Sequence, residues 1–169
     1  SLILLNMEKI WKEIKSISYP TCETCLEELQ KKGFKVSPWI EDIVKKNKYK
    51  FNNHNFPIRL IRKQVKDFGF SGPVELQNIY KEIEKQGYLL VPPEIAIYTR
   101  FIYDEQPAGE WLRFATPLNS MIDSDGVPHL PKLGKALELF FIALDDARSS
   151  PSLEVSSATP DSPMFIVSR

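Results

Sequence analysis

Apolar residues in the first hundred positions recur every three or four residues, the spacing of one face of an α-helix. The pattern predicts one amphipathic helix over residues 7–17 and a second that Thr21 caps and Gly33 ends. Thr is a favoured N-cap residue, and Gly readily adopts the left-handed conformation that stops a helix. A short third helix is predicted to begin at Pro38, since proline suits the first helical turn.

The second of these helices has a counterpart further along the chain. Two apolar series have the same helical spacing and lie 54 residues apart: Cys22, Cys25, Leu26, Leu29 and Leu76, Ile79, Tyr80, Ile83. Each series is followed by a glycine, an aromatic residue and a proline at matching positions: Gly33, Phe34, Pro38 and Gly87, Tyr88, Pro92. Duplication and convergence on a good helix ending both account for this match.

The stretch between the two units predicts a loop and one more helix. Residues 45–56 are rich in Lys and Asn and are predicted to form the loop. The predicted helix ends at Gly69 and rests on four apolar residues at helical spacing: Ile58, Ile61, Val65 and Phe68.

The second half of the chain indicates β structure. Thr99–Tyr103 and Trp111–Thr116, on either side of a turn over 104–109, predict a hairpin. We expect Trp111 to pack against the helical half; the alternative is an exposed binding anchor. Residues 123–126 are typical of a turn. Further strands are predicted at Leu137–Leu144, Leu153–Ser156 and Met164–Val167, with most of 149–163 as a loop.

These elements predict an α+β fold. We expect one domain over 1–169, mainly helical over 1–98 and mainly β over 99–169. Helices that precede strands in the chain favour amphipathic helices of the N-terminal half packed on one face of an antiparallel sheet formed by the C-terminal half.

Composition bounds the class of protein. The chain has 169 residues, of which 43% are apolar and 11% aromatic, as in a soluble globular protein. No apolar run approaches the ~18 residues of a membrane-spanning helix. Residues 1–6 are too short for a signal peptide and are either native or a remnant ahead of Met7. Two cysteines make no disulfide framework, so we expect a cytoplasmic protein.

The one motif with recognisable chemistry is a CxxC pair at a helix start. Cys22 and Cys25 could form a redox pair, zinc ligands or part of the core. Their counterparts in the second unit are Leu76 and Ile79, which favours the core.

Other candidate chemistry is sparse. His54 and His129 lie in polar or proline-rich surroundings, and we expect both to be surface-loop side chains. The paired carboxylates are expected in solvated turns: Asp104/Glu105, Asp123/Asp125 and Asp145/Asp146. The sequence therefore indicates no catalytic residue, metal site or cofactor, and it leans away from an enzyme.

Charge is unevenly distributed although the chain is formally neutral. Residues 31–66 hold eleven basic and two acidic residues, a local charge of +9, and residues 67–169 carry −7. Cations bind phosphates and aromatic rings stack on bases, but a basic surface also docks acidic proteins. The candidate binding residues are Lys45, Lys46, Lys48, Tyr49, Lys50, Phe51, Arg59, Arg62 and Lys63.

The stretch Asp104–Leu112, read DEQPAGEWL, resembles a segment of a family of small uncharacterised bacterial proteins. That family has a helical N-terminal half and a Gln-Pro-x-Gly-Glu-Trp-Leu hairpin. The similarity covers about 8–126, and its other matches are Gly33-Phe34, Trp39, Pro93-Glu94 and Asp123–Gly126. The resemblance implies a shared fold and carries no catalytic residue.

The sequence thus predicts a bacterial, non-enzymatic binding domain that acts through protein contacts. The alternative is a nucleic-acid-binding accessory domain that uses the basic segment 31–66, and the third is an enzyme with an unrecognised site. No membrane partner is expected, and the oligomeric state is left open.

Overall fold

The computed structural model describes residues 9–52, 54–147, 155–156 and 164–169. Within them the chain forms four helices, which are α1 Cys22–Lys31, α2 Pro38–Asn47, α3 Leu76–Lys85 and α4 Pro93–Ile102. The strands are β1 Lys12–Ile14, β2 Lys35–Val36, β3 Ile58–Gln64, β4 Pro73–Val74, β5 Trp111–Phe114, β6 His129–Ala136, β7 Leu139–Asp146, β8 Val155–Ser156 and β9 Met164–Ser168.

Seven of these strands form one sheet in the order β1-β3-β9-β5-β6-β7-β2, and β4 pairs with β8 separately. Most pairs are antiparallel, whereas β5 with β9 and β2 with β7 are parallel. The predicted α+β class is confirmed.

Three helices cover one face of the sheet, which we call the first face. Leu112 lies opposite Leu133, and Leu133 lies opposite Ile142, so their side chains point the same way. These three residues share one core with the buried faces of α1, α2 and α4.

The other face, the second face, is covered by α3 at one end. Ile61 opposite Val167 packs there with Leu130 and the buried residues of α3. The expectation that all helices pack on one face is therefore wrong: the sheet is central and has helices on both sides.

The predicted helix endings are confirmed, and they are alike in the two units. Gly33 has φ +86° and Gly87 has φ +84°. The amide of Phe34 bonds the carbonyl of Leu29 at 3.1 Å, and the amide of Tyr88 bonds that of Ile83 at 3.0 Å. Both bonds close the same C-terminal capping motif.

Two predicted helices are strands instead. Residues 12–14 of the expected first helix form β1. The second, expected to end at Gly69, is β3 followed by a 3₁₀ turn over Val65–Phe68. Adjacent Leu60 and Ile61 are both buried, on opposite faces, and a strand buried on both sides loses its alternating pattern.

The converse error occurs at 99–103. Thr99–Tyr103 was expected to be a strand because it is aromatic and β-branched, but residues 99–102 belong to α4. This helix is buried on nearly all sides, so it has no polar face to reveal a helical period. Most helical residues nevertheless lie within 1–98 and most strand residues within 99–169, although β1 to β4 belong to the first part and the end of α4 to the second.

The C-terminal strands lie close to their predicted positions. The strand expected at 137–144 is β7, shifted by two residues because Leu137 takes a left-handed turn conformation with φ +54°. Its hairpin partner β6 was not predicted, since Pro131 and Gly134 argue against a central strand. Strands β8 and β9 match the two later predictions, whereas the loop over 149–163 lies outside the described residues except at 155–156.

The predicted loop over 45–56 begins later, since α2 continues to Asn47.

Candidate docking surface

The structure spreads the candidate residues of the basic segment over several elements. Lys45 and Lys46 lie exposed on the last turn of α2, and Lys48 and Lys50 are exposed in the loop that follows. Phe51 is only 2% exposed and packs in the core beneath the first face. A base cannot stack on a ring in that position.

Tyr49 is also committed to the fold. Its ring packs against the main core, and its hydroxyl donates a hydrogen bond to the carbonyl of Ser120. Burial, with the nearby Glu94 carboxylate as a smaller cause, raises the pKa of Tyr49 above its ordinary value.

The three cations on β3 point to both sides of the sheet. Arg62 lies on the first face, 3.0 Å from the Glu110 carboxylate. Lys63 lies on the second face, with its Nζ 5.0 Å from the ring centre of Tyr88. Arg59 is paired with Glu13 at 3.2 Å. The basic segment therefore does not present its cations and aromatic rings on one surface.

Trp111 on β5 is a large aromatic residue that the sheet leaves exposed. It lies opposite Gly134, on the second face, and keeps 40% of its surface exposed. The expectation that it packs against the helical half is wrong, because α1, α2 and α4 lie on the other side. The ring instead lies flat over Gly134, which has no side chain in the way.

Apolar side chains continue from Trp111 across β6 and β7. Phe141 lies opposite Gly134, and its ring centre is 6.4 Å from that of Trp111. Leu139 is 43% exposed and Leu137, in the β6–β7 turn, is 84% exposed. Exposed apolar surface of this kind is a candidate interaction site. We name it the Trp111 surface, formed by Trp111, Gly134, Leu137, Leu139 and Phe141.

Charged groups border the Trp111 surface. Arg113 and Lys132 both approach the Asp145 carboxylate, each at 2.6 Å. Lys132 Nζ also lies 4.9 Å from the centre of the Trp111 ring, within cation–π range. At the edge beside Asp145 two cations share one carboxylate, which leaves one positive charge there, whereas Glu138 is exposed in the β6–β7 turn between Leu137 and Leu139. Asp145 lies in a strand and is ion-paired, contrary to the expected solvated turn.

Most of the motif before Trp111 is structural. Gln106 is buried, and its Nε2 donates to carbonyls of Glu110 and Leu133. Its Oε1 accepts from the buried Arg100 at 2.7 Å. Burial lowers the pKa of Arg100 to about 10. These bonds fix the approach to β5 and so the position of Trp111.

The CxxC pair belongs to the core, as expected. Cys22 and Cys25 are free thiols with no exposed surface. Burial raises the pKa of both, that of Cys25 to about 12.

His129 is not a surface-loop side chain, since it lies in β6, whereas His54 does lie in a loop, half-buried against a carboxylate. His54 contacts the Glu94 carboxylate at 2.6 Å, and His129, in β6, contacts Asp123 at 2.8 Å. The hydrogen bond from His129 is the main cause that lowers the pKa of Asp123. Within the described ranges, no group of three or more His, Cys, Asp or Glu residues could hold a metal ion.

None of the helices in the described part of the chain is both long and apolar enough to cross a membrane. Comparison with protein-family models, curated proteins and solved structures found no match to this chain.

Proposed function

We propose that this chain is a protein-binding domain and that the Trp111 surface is where its partner docks. The supporting observation is the exposed Trp111 ring, which lies flat on Gly134 beside Phe141 and two exposed leucines. Tryptophan is enriched among the residues that contribute most to protein interfaces. This proposal moves the predicted protein contact from the basic segment to the sheet.

The occupant that fits is an amphipathic helix. Helices already cover the first face and the other end of the second face. The part that no described residue covers spans β5, β6 and β7, which is about 10 Å between the outer strands at ~4.8 Å per step. A helix is roughly 10 Å across, so one partner helix completes this layer.

Charge favours acidic residues beside the apolar face of that helix. At the edge beside Asp145, the two positive charges of Arg113 and Lys132 exceed the single negative charge of that carboxylate, and Glu138 lies at the other end of the surface, in the β6–β7 turn. Nucleic acid is a poorer fit, because Leu137 and Leu139 give a base little to stack on.

A designed peptide tests this assignment. The probe has about 14 residues, four helical turns, with leucines on one face and glutamates on both sides of them. Its matched control carries lysine at every glutamate position. We expect the acidic peptide to bind more tightly, and Trp111→Ala to abolish binding. Trp39→Ala is the matched control, since Trp39 is also an exposed tryptophan (50%). It should leave binding intact, because it lies on α2, which covers the first face.

Titration with a single-stranded oligonucleotide separates the two classes of partner. If the oligonucleotide binds with strong salt dependence and the peptide does not, the nucleic-acid alternative is correct. The proposal would also be overturned if Trp111→Ala and Trp39→Ala lost peptide binding equally.

We further propose that the protein acts in the cytoplasm and belongs to the bacterial family that its Gln106–Leu112 segment resembles. The proposed cytoplasmic location rests on the two buried cysteines, which are both free thiols.

A further inference from the structure

Leu137 combines an exposed side chain with a backbone conformation that leucine rarely adopts. It is 84% exposed, more than any other large apolar residue in the described part of the chain. Its φ of +54° lies in the left-handed region, which is unfavourable for a residue with a Cβ. The leucine therefore strains the backbone and contributes little to the core.

The β6–β7 turn explains this conformation but not the choice of residue. Ala136 lies opposite Leu139, so the hairpin has a loop of two residues, Leu137 and Glu138. Loops of this length require a positive φ and favour glycine, asparagine or aspartate. A leucine here lowers the stability of the fold, and backbone strain of this kind is often kept for a function.

Lys48 provides a comparison, because it is the other residue besides glycine with a positive φ in the described ranges. Its φ is +49°, and its amide donates a hydrogen bond to the carbonyl of Val44 at 3.0 Å, which ends α2. That conformation is typical of a helix end, and an exposed lysine is ordinary on a protein surface. Only at Leu137 does the unfavourable backbone coincide with an exposed apolar side chain.

We propose that Leu137 is an anchor by which the Trp111 surface selects its partner. The inference rests on the proposed docking function and specifies the helix that fits. Leu137 follows Gly134, the residue beneath Trp111, by three positions, which is roughly 10 Å at ~3.3 Å per residue. A helix that runs along the strands covers this distance in about seven residues. The partner therefore carries two apolar residues about seven positions apart on one face, one over Trp111 and one against Leu137.

Variants of Leu137 separate its backbone from its side chain. Leu137→Gly removes both the strain and the side chain. It should raise the melting temperature by about 2–4 °C and weaken binding of the acidic helical peptide about tenfold, the order expected for one buried leucine. Leu137→Ala keeps a Cβ in the left-handed region, so it should weaken binding without the gain in stability. Lys48→Gly is the matched control, which should raise the melting temperature similarly and leave peptide binding unchanged.

A change in the peptide locates the contact. Two forms of the peptide each carry serine in place of the leucine in one terminal turn, and isothermal titration calorimetry measures their affinity. For one of the two forms, the loss of affinity should disappear when the protein carries Leu137→Gly, because that leucine of the peptide contacts Leu137. If neither form shows this coupling, the proposed contact is wrong.

The remaining outcomes distinguish this proposal from the docking function on which it rests. If Trp111→Ala abolishes peptide binding and Leu137→Gly binds as tightly as the wild type, Leu137 is not an anchor and the docking surface stands. The proposal is also overturned if Leu137→Gly lowers the melting temperature, because the leucine then serves the fold, or if Lys48→Gly weakens binding equally. A wild-type protein that binds no peptide would overturn the docking function and this proposal together.

Discussion

The ring of Trp111 occupies the space that a side chain on Gly134 would need. A Cβ at Gly134 would lie 2.4 Å from two ring carbons of Trp111, well inside van der Waals contact. Gly134 sits in a central strand, where glycine is ordinarily unfavourable. The glycine is therefore explained by the tryptophan that lies on it.

A double-mutant cycle tests this pairing. Gly134→Ala should destabilise the protein by about 1–3 kcal/mol, because the methyl group displaces a packed ring. In a Trp111→Ala background the same change should stabilise by roughly 0.5–1 kcal/mol, since alanine restricts the unfolded chain more than glycine does. Urea unfolding of the four proteins measures both values. A cost of Gly134→Ala that is the same in both backgrounds would contradict the packing described.

The buried thiols predict a loss of stability at alkaline pH. The pKa of Cys25 is raised from 9.0 to about 12 by burial, and that of Cys22 is raised for the same main reason. A raised pKa means that the folded state favours the neutral thiol, which leaves stability unaffected below the unfolded pKa. Stability should then fall as the pH rises from about 9 towards 12. The melting temperature should drop less steeply in a Cys22→Ala/Cys25→Ala variant.

Thiol labelling gives an independent check on the same core. At pH 8 the native protein should react slowly with a thiol reagent and rapidly once unfolded in urea. Fast labelling of the native state would place the cysteines at the surface and remove them from the core.

The two helix endings predict equal costs at two distant glycines. Gly33→Ala and Gly87→Ala each force a Cβ into the left-handed region, at about 1 kcal/mol or more. Neither position has an atom within 4 Å of the added Cβ, so strain of the backbone is the whole effect. Lys32→Ala, one residue before the first glycine, should cost far less. Unequal losses for the two glycines would show that the capping motifs differ.

Local chemistry of the sequence was enough to predict the helix ends. Thr21, Gly33 and Gly87 begin or end their helices through hydrogen bonds and backbone conformations of residues a few positions away. A short stretch of sequence is therefore enough to predict each helix end. The positions of the two helices on the sheet were not predictable. The two units have similar sequences, yet α1 packs on the first face and α3 on the second.

Elements in the centre of the fold were misassigned for a physical reason. Strand β3 and helix α4 are both buried on more than one side, so neither shows the polar face that distinguishes a strand from a helix. Their identity depends on what packs around them, and a single sequence does not contain that information.

The candidate site was missed for a related reason. Lys and aromatic residues near 45–63 form a conspicuous cluster in sequence, yet the fold buries Phe51 and separates Arg62 from Lys63. The Trp111 surface combines β5 with the β6–β7 hairpin, which begins 15 residues after the end of β5. Trp111 is the signal in the sequence, since a tryptophan beside a turn is either a buried ring or an exposed anchor.

Chemical-shift mapping with the acidic helical peptide tests the docking surface most directly. We expect the largest backbone amide shifts to fall on β5, β6 and β7, around Trp111, Gly134 and Phe141. Amides of the exposed lysines from Lys45 to Lys50 should stay unchanged. Shifts centred on those lysines, or no saturable shift at the Trp111 surface, would contradict the account.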